Sequence, residues 1–236
     1  MSTVAQVLVY GGIAGVTIPL GALLSRQNWF KSAWVASEVR HGILAFGAGA
    51  LLAAIALVLV PAGVESLSVP VLSIAFFGGG LSFAWLDLVL SRRKSTLSQV
   101  IAMLTDFLPE CLALGALFLT DLAEARLLAV LIAVQNLPES FSAYHEMESA
   151  KPAPRRILLL FILLAPLGPL ATYTGLTVLA DSPQVVAIIM TFAGGGILYL
   201  MFQDIAPNVA LKNSWLPPMG ALVGFFVGVL GTILIV

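Results

Sequence analysis

Stretches of about twenty mostly apolar residues recur along this chain, and each is long enough to cross a bilayer as one helix. Short connections containing Ser, Pro, Asn and charged residues separate eight such stretches. Their predicted bounds are Val4–Leu24, Gly42–Ala62, Val71–Ser91, Val100–Leu119, Leu127–His145, Ile157–Ala180, Gln184–Ala206 and Leu216–Val236. No connection is long enough to mark a second domain. The sequence therefore predicts one all-α, polytopic membrane domain over residues 1–236.

Composition excludes several other classes of protein. Hydrophobic residues make up 60% of the chain and charged residues only 10%, whereas a soluble domain has about 25% charged residues. The first apolar run is too long for a signal-peptide core and is predicted to be a true first helix. The single cysteine, Cys111, excludes an intrachain disulfide or a thiolate cluster. Neither H-E-x-x-H nor G-x-S-x-G occurs, so we do not expect an enzyme.

The basic residues predict how the chain is oriented in the membrane. The connections after the first, third, fifth and seventh runs hold ten of the eleven basic residues, and the alternate connections hold only Arg126. Positive charge accumulates on the cytoplasmic side, so both termini are predicted to be extracytoplasmic. The ten residues are Arg26, Lys31, Arg40, Arg92, Arg93, Lys94, Lys151, Arg155, Arg156 and Lys212.

A small-residue face runs along the last apolar segment. Gly220, Gly224 and Gly228 follow one another at four-residue spacing, which places them on one side of a helix. Such a face allows close helix packing within the chain, and it could alternatively form the seam of a homodimer.

Two neighbouring runs carry the same short polar interruption. The fourth run contains Thr105-Asp106-Phe107-Leu108-Pro109-Glu110, and the fifth contains Val134-Gln135-Asn136-Leu137-Pro138-Glu139. Within each run the first polar residue and the glutamate are four residues apart, so both lie on one helix face. Because consecutive spans are antiparallel, Asp106 should lie level with Glu139, and Glu110 with Gln135. The sequence therefore predicts that four oxygen-bearing side chains converge near the bilayer midplane.

The cost of burying carboxylates indicates what this cluster binds. An ionised carboxylate at the bilayer centre costs about 2.5–3.5 kcal/mol on insertion scales. Three are present here, and no Lys or Arg is predicted at that depth. The prolines also free the carbonyls of Thr105 and Val134 as oxygen ligands or water sites. Hydrogen-bonded helix contacts and a metal-free proton relay are alternatives, but we favour a divalent metal ion.

These paired motifs resemble helices four and five of the Zrt/Irt-like (ZIP) metal transporters, which carry His-Asn-x-Pro-Glu-Gly and His/Gln-Asn-x-Pro-Glu-Gly. The run Phe46–Leu51 followed by Pro61 is similar to the family's second helix. The run Phe192–Gly196 leading to Gln203-Asp204-Ile205-Ala206-Pro207 is similar to its seventh. The resemblance implies eight helices with outside termini. It also implies a transport bundle of helices one, four, five and six that slides against a scaffold of two, three, seven and eight.

The resemblance further implies a metal site with departures from the family pattern. The family's first site maps onto Asp106, Glu110, Gln135 and Glu139, with Asp106 in place of His. Of the second site only Asn136 remains, because Phe107 stands at the Asn position and Ala165 at that of a helix-six Glu. We therefore expect a bacterial member of the family whose binuclear centre is degenerate and holds a single metal ion.

Polar residues near the cytoplasmic helix ends are candidates for a release path. Glu146 lies seven residues after Glu139, on the same helix face, with His145 beside it; a solvated helix end is the alternative. Gln203 and Asp204 lie at the inner end of the seventh run, where a release path and an interfacial cap are both open.

The sequence thus predicts a multi-pass carrier in the inner (plasma) membrane that moves divalent ions such as Zn, Fe, Mn or Cd toward the cytoplasm. Its expected partners are the lipid bilayer, metal ions and a second copy in a homodimer, with no nucleic acid and no organic cofactor. The alternatives are a non-transporting metal-binding or regulatory homologue and a proton-coupled carrier of a small solute.

Overall fold

The described part of the chain forms eight long helical rods. The structure is a computed structural model that describes residues 2–27, 33–93, 98–149, 153–209, 211 and 214–235. Helices are the expected outcome in a bilayer, because backbone polar groups there must be satisfied within the segment itself. All regular structure in the described residues is helical, which confirms the all-α prediction.

The rods are labelled α1 to α8 in chain order. Three of them, α2, α6 and α7, contain a π-helical turn, and α6 is also broken between Leu164 and Leu167. The bounds are α1 Thr3–Ser25; α2 Ala33–Ala54, Ile55–Leu59 and Val60–Ser66; α3 Val69–Arg93; α4 Ser98–Thr120; α5 Leu122–Ser149; α6 Pro154–Leu164, Leu167–Thr174 and Gly175–Leu179; α7 Pro183–Leu200, Met201–Ile205 and Ala206–Val209; and α8 Leu216–Ile235.

Several predicted boundaries are wrong. The helices extend further than the apolar pattern indicates, so six basic residues assigned to connections lie inside α2, α3, α5 and α6: Arg40, Arg92, Arg93, Arg126, Arg155 and Arg156. The sixth run was expected to be one continuous helix, but Pro166 cannot continue the preceding hydrogen-bond pattern and α6 breaks there. Lys31, Lys94, Lys151 and Lys212 lie outside the described residues, and the orientation of the termini stays a prediction.

Seven of the eight rods are long and apolar enough to cross a membrane, among the residues that the structure describes. The exception is α5, whose mean hydropathy is lowered by residues such as Gln135, Asn136 and Glu139. This helix packs against α1, α2, α4, α6 and α8, so its polar side chains are shielded from lipid by protein. A helix in this central position can carry polar residues that a lipid-facing helix could not.

The rods pack as two groups that match the division implied by the resemblance. One group contains α1, α4, α5 and α6, and the other contains α2, α3, α7 and α8. The groups meet chiefly where α5 packs on α2 and where α4 packs on α7. The metal-site motifs on α4 and α5 therefore belong to one group and face the other.

The glycine face of α8 is occupied within the chain. A side chain at Gly220 or Gly224 would overlap backbone carbonyls of α2, at Gly42 and Phe46 respectively. Close backbone approach of this kind requires the absence of a Cβ atom. Intrachain packing thus accounts for this face, and it offers no seam for a homodimer.

Candidate metal centre

Glu110 of α4 and Gln135 of α5 form a direct hydrogen bond across the interface between their helices. The Gln135 amide nitrogen donates to Glu110 Oε2 at 2.6 Å, and both residues are 0% exposed. The Oε1 atoms of both residues have no hydrogen-bond partner among the described residues. The antiparallel register predicted from the sequence therefore brings this pair together, with one oxygen of each side chain left available.

Asp106 and Glu139 form the second pair of the predicted cluster and line one small cavity. The cavity volume is about 50 Å³, and Ser142 of α5 and Asp204 of α7 also contribute to its wall. Asp106 Oδ1 accepts a hydrogen bond of 2.8 Å from the Phe107 backbone N–H. Both carboxylate oxygens of Glu139 are buried and lack a hydrogen-bond partner within the described part of the chain. This pair also lies level, as the register predicts.

The two pairs are close enough to interact electrostatically. Glu110 is influenced by the charge of Asp106, and Glu139 by the charges of both Asp106 and Glu110. Three like charges in one low-dielectric region repel one another, and each buried acceptor without a partner carries a desolvation penalty. A bound dication would reduce both the repulsion between the carboxylates and the penalty for burying them without partners.

The cluster is not a closed metal cage as it stands. Across the described ranges, no group of three or more His, Cys, Asp or Glu residues is arranged to hold a metal ion. The donors instead form two adjacent pairs, and one of the four is the amide of Gln135. Metal coordination would therefore require side-chain movement within the pocket, or an ion held by two residues and water.

Asn136 lies on a different face of α5 from Gln135. Its side-chain nitrogen donates to the Ala14 carbonyl of α1 at 3.5 Å, and its Oδ1 atom has no partner among the described residues. One turn further along, Ser140 donates to the Asn136 carbonyl at 2.7 Å. The structure thus places Asn136 at the contact between α1 and α5, away from the Asp106–Glu139 cavity. Phe107, at the corresponding position of α4, is 0% exposed and supplies no ligand.

Three of the four predicted path residues line consecutive cavities. A cavity of about 250 Å³ shares Leu44 and Ser142 with the small cavity at Glu139, and His145 and Glu146 contribute to its wall. Asp204 lines the small cavity, and its carboxylate accepts a 3.0 Å hydrogen bond from Asn208, which lines the larger one. These cavities place polar groups side by side from the carboxylate pocket toward one end of the bundle.

Gln203 does not join these path residues. It lines a separate cavity of about 380 Å³ with aromatic residues of α3 and α7, including Phe76 and Phe202. Gln203 and Asp204 are adjacent in a π-helical turn, and their side chains project in different directions from it.

Sequence reasoning missed the contribution of α2 to the path. Arg40 and His41 line the larger cavity, and an Arg40 guanidinium nitrogen lies in hydrogen-bond contact with Nε2 of His145. The available signal was the pair Arg40-His41 directly before an apolar run. Its partner on α5 could not be inferred from spacing, because the two helices are far apart in the chain.

A multi-pass helical bundle with a buried, oxygen-rich pocket leading to a polar cavity is the architecture of a membrane ion carrier. A family model described as "ZIP Zinc transporter" matches residues 89–236. The match covers more than half of the chain, so the chain belongs to the ZIP zinc transporter family and is a membrane transporter of divalent metal ions. A comparison with individual curated proteins gave no match.

Proposed function

We propose that this chain moves divalent transition-metal ions toward the cytoplasm across the inner (plasma) membrane through one site formed by α4 and α5. The ligands are Asp106, Glu110, Gln135 and Glu139. The observation that carries this proposal is the set of buried oxygen atoms without hydrogen-bond partners on Glu110, Gln135 and Glu139, among the described residues. Such oxygens next to like charges are costly unless a cation visits them.

The donor set favours hard ions over the soft end of the transition series. Carboxylate and amide oxygens suit Mn²⁺ and Fe²⁺ better than an imidazole-rich site does, while Zn²⁺ and Cd²⁺ remain substrates because Zn²⁺ also accepts carboxylates. The site is mononuclear, since Phe107 provides no ligand and Asn136 is directed toward α1.

Release follows the two consecutive cavities. An ion leaving Glu139 meets Ser142 and Asp204 first, and then His145 and Glu146. These groups offer oxygen and nitrogen donors at short intervals, so the ion exchanges ligands stepwise and is never stripped of all of them.

Metal uptake into proteoliposomes tests this function. Wild-type protein and the variants Glu110→Gln and Glu139→Gln would be compared with a panel of Mn²⁺, Fe²⁺, Zn²⁺ and Cd²⁺. Glu148→Gln is a matched control, because Glu148 lies on the same helix as Glu139 but is exposed near its end. We expect both pocket variants to lose uptake while the control retains it.

The alternatives give different results in the same experiment. Metal binding without flux in the wild type would identify a non-transporting or regulatory homologue. Uptake of a small solute driven by a proton gradient and indifferent to metals would identify a solute carrier. Undiminished uptake by both pocket variants would refute the site assignment.

A further inference from the structure

A cavity of about 880 Å³ opens between α1, α2, α5 and α8, and it shares only Arg40 and His145 with the cavity at the end of the proposed metal path. Its volume falls within the range of pockets that bind small molecules, about 300–1,000 Å³. Because α1 and α5 belong to one helix group and α2 and α8 to the other, the cavity lies where the two groups meet.

The polar residues of this cavity are gathered at one end. Ser25 is the last residue of α1, Gln27 comes two residues later, and Trp215 directly precedes α8. Arg40 lies near the beginning of α2, and His145 lies one turn before the end of α5. These positions coincide with the helix ends that the positive-inside rule assigns to the cytoplasm. The cavity mouth is therefore at the level of lipid headgroups.

The deeper part of the cavity is apolar. Its wall there is formed by Phe46 of α2, Leu137, Pro138 and Phe141 of α5, and Val223 of α8. From Trp215 to Val223 is eight residues, which is about 12 Å along a helix. The cavity thus has a cationic mouth and a hydrophobic depth, a shape that matches an amphiphile with an acidic headgroup.

A metal ion is a poor occupant for this space. Glu146 and Asn208, which supply oxygen atoms beside Arg40 in the release cavity, do not line this one, and the side chains of its deep wall provide no oxygen ligands. An anion at the mouth, in contrast, is attracted by Arg40. Ser25 lines the same cavity, and its Oγ is buried without a hydrogen-bond partner among the described residues. Rotation of this side chain about its Cα–Cβ bond would present the hydroxyl to a phosphate or ester oxygen.

We propose that this cavity binds one anionic phospholipid, with its phosphate at Arg40 and Ser25 and an acyl chain against Phe46, Phe141 and Val223. Arginine binds phosphate with charge-assisted, bidentate hydrogen bonds. Trp215 is 73% exposed at the mouth, the position that tryptophan favours at a membrane interface. This inference goes beyond the proposed function and does not depend on which metal is carried.

A lipid bound in this cavity would contact residues that also belong to, or lie beside, the proposed metal path. The Arg40 side chain also contacts His145 Nε2, so a phosphate that engages Arg40 competes with that contact. The acyl chain would reach Pro138, which packs against Gly47 of α2 and directly precedes Glu139. A lipid in this position contacts both helix groups beside the carboxylate pocket.

The fluorescence of Trp215 provides a direct test. Replacing Trp29, Trp34 and Trp85 with Phe leaves Trp215 as the only tryptophan. Phosphatidylglycerol or phosphatidylcholine with dibrominated acyl chains is then titrated into the protein in detergent micelles. We expect saturable quenching, with the anionic lipid effective at about a tenfold lower concentration, because only phosphatidylglycerol carries a net negative charge to pair with Arg40.

Matched variants separate headgroup from acyl-chain recognition. Arg40→Gln should abolish the preference for the anionic lipid, Arg40→Lys should retain part of it, and Arg126→Gln, at an exposed arginine outside this cavity, should have no effect. Val223→Phe fills the cavity and should weaken quenching by both lipids. Leu222→Phe is its control, because Leu222 is 61% exposed and does not line the cavity. Unfolding temperatures would verify that each variant is folded.

Several outcomes would overturn the proposal. Equal potency of the two lipids in the wild type would exclude anionic recognition, as would an unchanged preference in Arg40→Gln. Full displacement of the brominated lipid by glycerol phosphate at the same concentration as by unbrominated phosphatidylglycerol would show that the acyl chain contributes nothing. Loss of quenching with rising protein concentration, in parallel with dimer formation, would show that a second copy covers the cavity.

Discussion

Gln135 donates a 2.6 Å hydrogen bond to Glu110 at the interface between α4 and α5, and each residue keeps one buried oxygen without a partner in the described structure. The hydrogen bond fixes the positions of two prospective ligands before an ion arrives. The remaining oxygens are the atoms that the ion would contact. This relationship makes the pair both a structural contact and half of the proposed site.

Replacing Gln135 with Met tests how much its hydrogen bond to Glu110 stabilises the protein. The substitution keeps the side-chain length but removes the donor, which leaves the Glu110 carboxylate in a buried site without this partner. We expect the metal-free protein to lose about 1–3 kcal/mol in free energy of unfolding. Unfolding in detergent measures the change, and added metal should recover less stability than in the wild type.

Gln203→Met is the control for that substitution. Gln203 lines a separate cavity with aromatic residues of α3 and α7 and has no place in the pocket. Equal losses of stability and metal response in the two variants would contradict a special role for Gln135.

Metal preference should respond to restoring the family's ligand types. In Asp106→His combined with Phe107→Asn, imidazole and amide groups replace one carboxylate and an aromatic ring. We expect the ratio of Zn²⁺ to Mn²⁺ uptake to rise, because imidazole suits Zn²⁺ whereas carboxylate suits Mn²⁺. Competition between the two ions in proteoliposomes measures the ratio. Phe107→Leu, which removes the ring without adding a ligand, should leave it unchanged.

Substitutions along the proposed release path should change the rate of metal transport more than the affinity of the pocket for metal. Asp204→Asn and Glu146→Gln each remove a negative charge along the consecutive cavities while preserving side-chain volume. We expect slower metal flux, with the equilibrium affinity of the pocket for metal within about threefold of wild type. Mutating a residue that hydrogen-bonds to a metal ligand typically lowers metal affinity by about 10–100-fold, and a residue that serves only the release path should not have that effect. Flux and equilibrium metal binding would be measured on the same preparations.

Gln203→Leu serves as the comparison for Asp204→Asn, because Gln203 is adjacent in the chain but faces a different cavity. A flux defect of the same size in Gln203→Leu would argue against the assigned path.

Close packing between α2 and α8 predicts a strong effect of one added side chain. In Gly224→Val the new atoms would overlap the Phe46 carbonyl on α2, and overpacking typically costs 1–3 kcal/mol. Gly78→Val is the control, since a Cβ atom at Gly78 meets nothing within 4 Å. Thermal unfolding in detergent should show a marked decrease for Gly224→Val and a small one for Gly78→Val. Similar decreases would mean that the α8 glycine face is not tightly packed.

The sequence predicted the number of helices and the pairing within the pocket for a local reason. A bilayer requires each span to satisfy its own backbone hydrogen bonds, so apolar length alone identifies a helix. Consecutive spans are antiparallel, so the order of residues along α4 and α5 determined that Glu110 meets Gln135 and that Asp106 meets Glu139. These relationships depend on neighbours in the chain.

The contacts that only the tertiary structure decided are contacts between helices that are distant in sequence. It directs Asn136 toward α1, separates Gln203 from Asp204, and brings Arg40 to His145 across 105 residues. It also covers the glycine face of α8 with α2. The periodicity of a helix shows which residues share a face, but the neighbour that this face meets is set by the packing of all eight helices together.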